Sequence, residues 1–322
     1  MIRERFLLPG LIAASLLAII AACFLGSTSL PIDRLLGALF GGADAGDRLV
    51  VWQIRLPRAL AAYIVGAALG ISGAALQGLL RNPLAEPGVL GVSASASLMA
   101  TFSLYYGIAS ITPWALPIAA IIGALSATAV ITLAALRTQS VVTLILIGVG
   151  LSSFAGAAMS LLMNLAPNPF SLSDMINWML GSVANRSFDE IMLAGPFILA
   201  GALILFTTRR GLSALTLGEE AASGIGLDLQ RQRILTVVGA GLATGGAVAL
   251  AGAIGFVGIV APHIIRPLVG HDPARSLLPS ALLSGLILVL ADIFIRLVPT
   301  NSELKLGVVA ALIGAPAFVW LA

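Results

Sequence analysis

Few side chains in this sequence could take part in bond chemistry. The two histidines, His263 and His271, could ligate haem iron or another metal. They stand apart, however, beside Arg266 and Arg275, and isolated histidines of this kind more commonly line interfaces. The one lysine, Lys305, lies in SELKLG. A phosphate-binding loop needs its lysine directly after a glycine, so no such loop is present and any ATP hydrolysis belongs to another chain. The one cysteine, Cys23, excludes an intramolecular disulfide. Asp292 and Arg296 fall inside an apolar run one helical turn apart, where each could neutralise the other. No nucleophile with its base, carboxylate pair or metal-ligand cluster accompanies them in the apolar runs. The chain reads as a non-enzyme with no cofactor or metal of its own.

The elements that must carry these residues are membrane spans. Of 322 residues, 59% are hydrophobic and 10% charged, with 35 glycines and a mean hydropathy of +1.07, well outside the soluble range. Apolar runs at 6–25, 59–80, 88–106, 113–136, 141–165, 191–208, 234–253, 256–268, 277–298 and 304–322 predict an all-α polytopic protein of about ten transmembrane helices. The eighth run rises only ~20 Å as a helix, short of a full crossing. No connection is long enough for a soluble domain, so residues 1–322 form one membrane domain. The start, MIRERF followed by an apolar run ending in IAAC, has the look of a signal peptide or lipid-attachment site. The length of the run favours an uncleaved first helix, with Arg3 and Arg5 holding its start in the cytoplasm. The net charge of +3 is spread over loops, with no basic run that would bind nucleic acid.

With both termini cytoplasmic, the inner side holds ten basic residues: Arg3, Arg5, Arg81, Arg137, Arg209, Arg210, Arg231, Arg233, Arg266 and Arg275. The exported side holds seven: Arg34, Arg48, Arg55, Arg58, Arg186, Arg296 and Lys305. The bias agrees with that orientation. It leaves Arg55, Arg58 and Arg296 clustered where the positive-inside rule disfavours them. The second span contains VGAALGISGA (65–74) and the seventh VGAGLATGGA (238–247), identical at six of ten positions and opposite in direction. This suggests an inverted repeat, with half-repeats at about 59–165 and 234–322. The glycines of both copies would let helix backbones approach closely.

Between the second and third spans stands LLRNPLAEPGVLG (79–91). Arg81 and Asn82 can satisfy the last carbonyls of one helix, Pro83 stops it, and Pro87 with Gly88 suits the start of the next. With Glu86 they read as a rigid cytoplasmic hairpin at the water boundary.

The string RLPRALAAYIVGAALGISGAALQGLLRNPLAEPGVLGV (55–92), with GAIGFVGIVAPHIIR (252–266) and LGVVAALIGAPAFVWL (306–321), resembles the permease subunits of bacterial ABC importers for ferric siderophores, haem and cobalamin, the BtuC-like type II class. The resemblance runs in order over nearly the whole chain. It implies a ten-helix permease of the bacterial inner membrane that pairs with a second copy, with the translocation path at the homodimer interface. Two cytoplasmic ATPase subunits, which bind ATP and Mg, and a periplasmic binding protein are the implied partners.

Within that resemblance, the inner connection 209–232 carries EEAASGIGLD. Glu220, Ala221, Ala222 and Gly226 fit the E-A-A-x-x-x-G pattern that such permeases present to their ATPases, and Leu217, Gly218 and Glu219 lead into it. A short helix of small residues can seat in a groove of a soluble partner. Arg55, Arg58 and Arg296 match positions that face acidic residues of the binding protein, where charge pairs steer docking. For Arg296 the pair with Asp292 stays open as the alternative. The start of the fifth span, RTQSVVTL (137–144), matches the family's inner gate. Some relatives carry small hydroxyl residues there, whereas this chain places Val141 and Val142 after Ser140, a constriction that could close by dewetting. Iron chelates, haem included, are the first cargo class expected and cobalamin the second. A proton- or sodium-coupled secondary transporter fits less well, because that mechanism calls for ionisable groups near the bilayer midplane.

Overall fold

The computed structural model describes residues 2–26, 31–40, 42, 44–138, 140–299 and 303–321, and every regular element among them is helical. In chain order these are α1 (Ile2–Phe24), α2 (Ile32–Phe40), α3 (Ala45–Leu49), a π-helical stretch (Val50–Arg55), α4 (Leu56–Leu80), α5 (Val92–Tyr105), α6 (Ala115–Arg137), α7 (Val141–Asn164), α8 (Pro169–Met179), α9 (Phe188–Ala214), α10 (Glu219–Gly224), α11 (Leu229–Ala251), α12 (Val257–Ile265), α13 (Pro273–Leu297) and α14 (Leu306–Leu321). Among the described residues, seven helices are long and apolar enough to cross a bilayer: α1, the continuous α3 to α4 helix, α6, α7, α9, α11 and α13. The other three expected spans are the shorter α5, α12 and α14.

The helix that carries the second crossing begins at Ala45, well ahead of residue 59. Arg48, Gln53, Arg55 and Arg58 interrupt the apolar run, but they do not interrupt the helix. Pro57 directly follows the π-helical stretch 50–55, where the hydrogen-bond ladder changes register and a residue without an N–H is accommodated inside a continuous helix. Helix α8 was not expected at all. It is too short to cross, and its start is local chemistry: the Asn168 side chain accepts the Ser171 N–H at 2.9 Å, with Pro169 next in line. A capping box starts α9, with Ser187 and Glu190 satisfying each other's backbone N–H groups.

The core is built around α4 and α11, where 78% of the residues in the apolar stretch of each helix are buried, against 17% for α7. Small residues permit this. A Cβ on Gly66 would lie 2.4 Å from the Ser284 carbonyl oxygen of α13, and one on Gly241 would lie 2.1 Å from Thr128 Oγ1 of α6. In lipid, where apolar side chains gain nothing by leaving the solvent, such backbone proximity is what holds helices together. The tightest approach is at Gly73, whose Cβ would fall 1.9 Å from the carbonyl oxygen of Gly258 in α12. Gly73→Val is expected to lower stability by at least about 1–3 kcal/mol. Gly10→Val, at an exposed site of α1 with open space around it, should leave the unfolding midpoint in detergent unchanged. Equal midpoints for the two variants would contradict the packing.

The stretch 81–91 departs from the expected hairpin. Arg81 does end α4, as a left-handed C-cap with φ 47°. Asn82 forms the next turn, its side-chain oxygen accepting the Leu84 N–H at 2.9 Å, with Pro83 between them. Beyond this the chain does not stay at the helix end. Pro87 is buried beside Gly258, which itself lies against the Leu69 carbonyl. Leu69 is eleven residues before Leu80, so Pro87 lies ~16 Å back along α4. The Glu86 carboxylate accepts the N–H of Phe256 at 3.4 Å, and Gly88 is held by its own carbonyl, which accepts the Ser152 hydroxyl at 3.3 Å. Glu86, Pro87 and Gly88 therefore form a re-entrant segment, not a boundary turn. The physical reason is that irregular backbone can sit at membrane depth when protein surrounds it. Here α7, α11 and α12 do so, and α5 then needs only its 14 residues to complete the crossing.

Candidate functional site

The three expected docking arginines converge at the end of the bundle opposite α10, and all three point inward. Arg58, in the first turns of α4, donates from Nε and Nη2 to Asp292 Oδ1 at 2.9 and 2.8 Å. Arg296 approaches the other oxygen of Asp292 at 3.0 Å. The Asp292 side chain is 1% exposed and those of Arg58 and Arg296 are 13% and 6% exposed, so one carboxylate joins α4 to α13. The i, i+4 pair of Asp292 and Arg296 is present, extended by an arginine from another helix that sequence spacing did not reveal. Glu303 also contacts Arg58 and is the exposed member of the group.

Arg55 and Arg296 do a second job. Arg55 Nη1 donates to the carbonyls of Cys23 and Phe24 at 2.9 and 2.8 Å, and Arg296 Nη1 to those of Ala22 and Leu25 at 2.9 and 3.1 Å. These are the unpaired carbonyls at the C-terminal end of α1, where cations are favoured. Arg55 is thus buried as a helix cap. This corrects the expectation of an exposed charge at that position: the guanidinium replaces water on carbonyls that no helix turn can satisfy.

At the other end, α10 stands between Gly218 at φ 99° and Gly226 at φ 92°, conformations that glycine adopts without penalty. Ala222 is fully buried against the bundle. Glu219 accepts from Arg233 Nη2 of α11 at 2.9 Å. Those two contacts hold α10 down, so Ala222 seats the helix on its own chain and is not a contact for a partner. Glu220 and Ala221 face outward, flanked by Leu217 and Ile225, 65% and 69% exposed. Ile225 was not anticipated, although an isoleucine inside a polar connection is the kind of signal that marks a contact surface.

At the expected gate, Ser140 is the N-cap of α7, its Oγ accepting the Thr143 N–H at 3.2 Å. Val141 is half-buried and Val142 exposed; Gln139 lies outside the described residues. Along α7, Val142, Leu146, Phe154 and Leu161 form an apolar stripe open to the surroundings.

Comparison with known proteins gives this arrangement a context. The FecCD transport family matches residues 13–322. The uncharacterized ABC transporter permease protein YvrB of Bacillus subtilis is 40% identical over 315 residues, covering 94% of this chain and 88% of that protein. The vitamin B12 import system permease protein BtuC of Citrobacter koseri is 42% identical over 279 residues, covering 86% and 84%. A solved inward-facing conformation assigned to a metal-chelate type ABC transporter superposes with a TM-score of 0.88 at 29% identity, covering 98% of each chain. The chain belongs to the FecCD transport family, as a multi-pass ABC importer permease of the BtuC type, a transport subunit and not an enzyme.

Proposed function

We propose that the chain imports a metal chelate across the bacterial inner membrane, as a homodimer driven by two ATPase subunits on its α10 side and supplied by a binding protein on the opposite side. The observation that carries this reading is α10. It is fixed to the bundle by Ala222 and Arg233 while presenting Leu217, Glu220 and Ile225 outward, so force applied to it is transmitted to α9 and α11. Transport proceeds by alternating access, the path between the two permease copies opening to one side at a time, while the glycine contacts of α4 on α13 and of α11 on α6 hold the half-repeats 59–165 and 234–322 of each copy together. The open stripe on α7 suits the second copy and the path between them.

Docking is proposed at Arg58, with Glu303 occupying the place that a binding-protein carboxylate takes. Asp292 then stays with Arg58 and Arg296 throughout. Glu303→Gln is expected to tighten binding-protein association two- to fivefold by removing the competing acid, about 0.4–1 kcal/mol. Weaker association in a titration at fixed salt would argue against the exchange.

Two cargo classes come into question. Iron chelates, haem included, follow from the sequence resemblance. Cobalamin is favoured by relatives named as vitamin B12 import permeases. Uptake of labelled ferric siderophore, haem and cobalamin should be compared in cells lacking and regaining the gene, with vanadate or a protonophore added. Gene-dependent uptake of one cargo, blocked by vanadate, is the expected result. Uptake indifferent to vanadate and abolished by the protonophore would refute the ATP-driven reading.

A further inference from the structure

A cavity of about 240 Å³ opens where α4 ends and α13 begins, with Arg81, Arg266 and His271 in its wall. The three basic groups come from separate parts of the chain: the C-cap of α4, the turn that follows α12, and the connection to α13. Among the described residues, no carboxylate pairs with Arg81 or Arg266. The polar partner found for Arg266 is Gln77, whose Oε1 accepts from Nη2 at 2.6 Å. Gln77 is 3% exposed and its Nε2 has no hydrogen-bond partner, which leaves a buried donor in the same wall.

The acid in the lining, Asp272, is already engaged. It accepts the Ser213 hydroxyl and the Ala274 N–H, and it pairs with Arg275. Its charge therefore serves the start of α13. What remains is two guanidiniums and an imidazole around a space large enough for a tetrahedral anion, at the end of the apolar spans where lipid headgroups lie. Guanidinium forks match phosphate oxygens, and basic pockets between helices at this level hold anionic headgroups.

We propose that this cavity is a phosphate-binding site, occupied by the headgroup phosphate of an anionic lipid or by free phosphate. The site is independent of the cargo and of the coupling mechanism. The test uses purified full-length protein, stripped of lipid in a neutral detergent. Its unfolding midpoint is followed while titrating phosphatidylglycerol, phosphatidylcholine as the neutral control, and sodium phosphate against sodium chloride of equal ionic strength. The unaltered protein is expected to respond to phosphatidylglycerol or phosphate. The double variant Arg81→Gln/His271→Gln should need at least about tenfold more. A response to the lipid alone identifies a headgroup, and a response to phosphate as well identifies a free-anion site.

A second reading does not depend on how the variant folds. In the unaltered protein, carbethoxylation of His271, followed by mass spectrometry, should slow when the anion is bound while that of His263 does not. Equal titrations for both proteins, or protection of His271 only when an ATPase subunit is present, would overturn the proposal. The second outcome would assign the pocket to a protein carboxylate.

Discussion

Replacing Asp292 by alanine is expected to destabilise the protein by about 3–5 kcal/mol, because it leaves the Arg296 guanidinium buried without a counter-charge and Arg58 with the exposed Glu303 alone. Arg58 donates to both oxygens and Arg296 approaches Oδ2 of a carboxylate that is 1% exposed. Neither can swing into water without giving up other contacts, since Arg296 also caps α1. The expected consequence is loss of the joint between α1, α4 and α13. Glu303, 42% exposed, touches the same Arg58, yet Glu303→Gln should cost less than about 1 kcal/mol because water screens and replaces it. Unfolding of the two variants in mixed micelles separates the cases. Similar midpoints would mean that Asp292 does not carry the cluster.

The second large effect lies at the opposite end. Leu217→Asp combined with Ile225→Asp places charge on a surface that is already in water, so stability should stay within about 0.5 kcal/mol of the unaltered protein. Uptake should nevertheless fall at least about tenfold, since a charged pair in an apolar contact with an ATPase would have to be desolvated. Ala222→Leu is the contrasting change. Ala222 is fully buried, so its larger replacement should cost about 1–3 kcal/mol through overpacking and lose uptake through the fold itself. Normal vanadate-sensitive uptake in the Leu217/Ile225 double variant would remove α10 from the coupling path.

The two comparisons separate what each residue type can reveal from its position in the chain. Composition and apolar run length identified the membrane helices, because a span needs ~20 apolar residues whatever it packs against. The glycine strings of α4 and α11 likewise announced close helix contact. A glycine pattern names the face that can be approached and is silent on the helix that approaches it; that α13 meets Gly66 and that α12 meets Gly73 depends on the whole bundle. The same limit applied to the interruption at 81–91. Its prolines and charges correctly stopped a helix at Arg81. The expectation of a surface turn failed for Glu86, Pro87 and Gly88, because the protein that shelters them, including Phe256 and Gly258, lies some 170 residues away in the chain.

Local chemistry, then, was determined by the sequence alone: spans, the helix stop at Arg81, the Asp292 and Arg296 spacing, and the small-residue helix at 219–224. These depend on neighbours within one or two helical turns, which the order of residues specifies directly. The tertiary structure alone decided direction and partnership. It turned Arg55 onto the carbonyls of α1, gave Arg58 to Asp292, set Ala222 inward and Ile225 outward, and grouped Arg81, Arg266 and His271 around one cavity. The reason is physical: a buried charge goes where a counter-charge or an unpaired carbonyl offsets its desolvation, and those partners come from helices far apart in the chain.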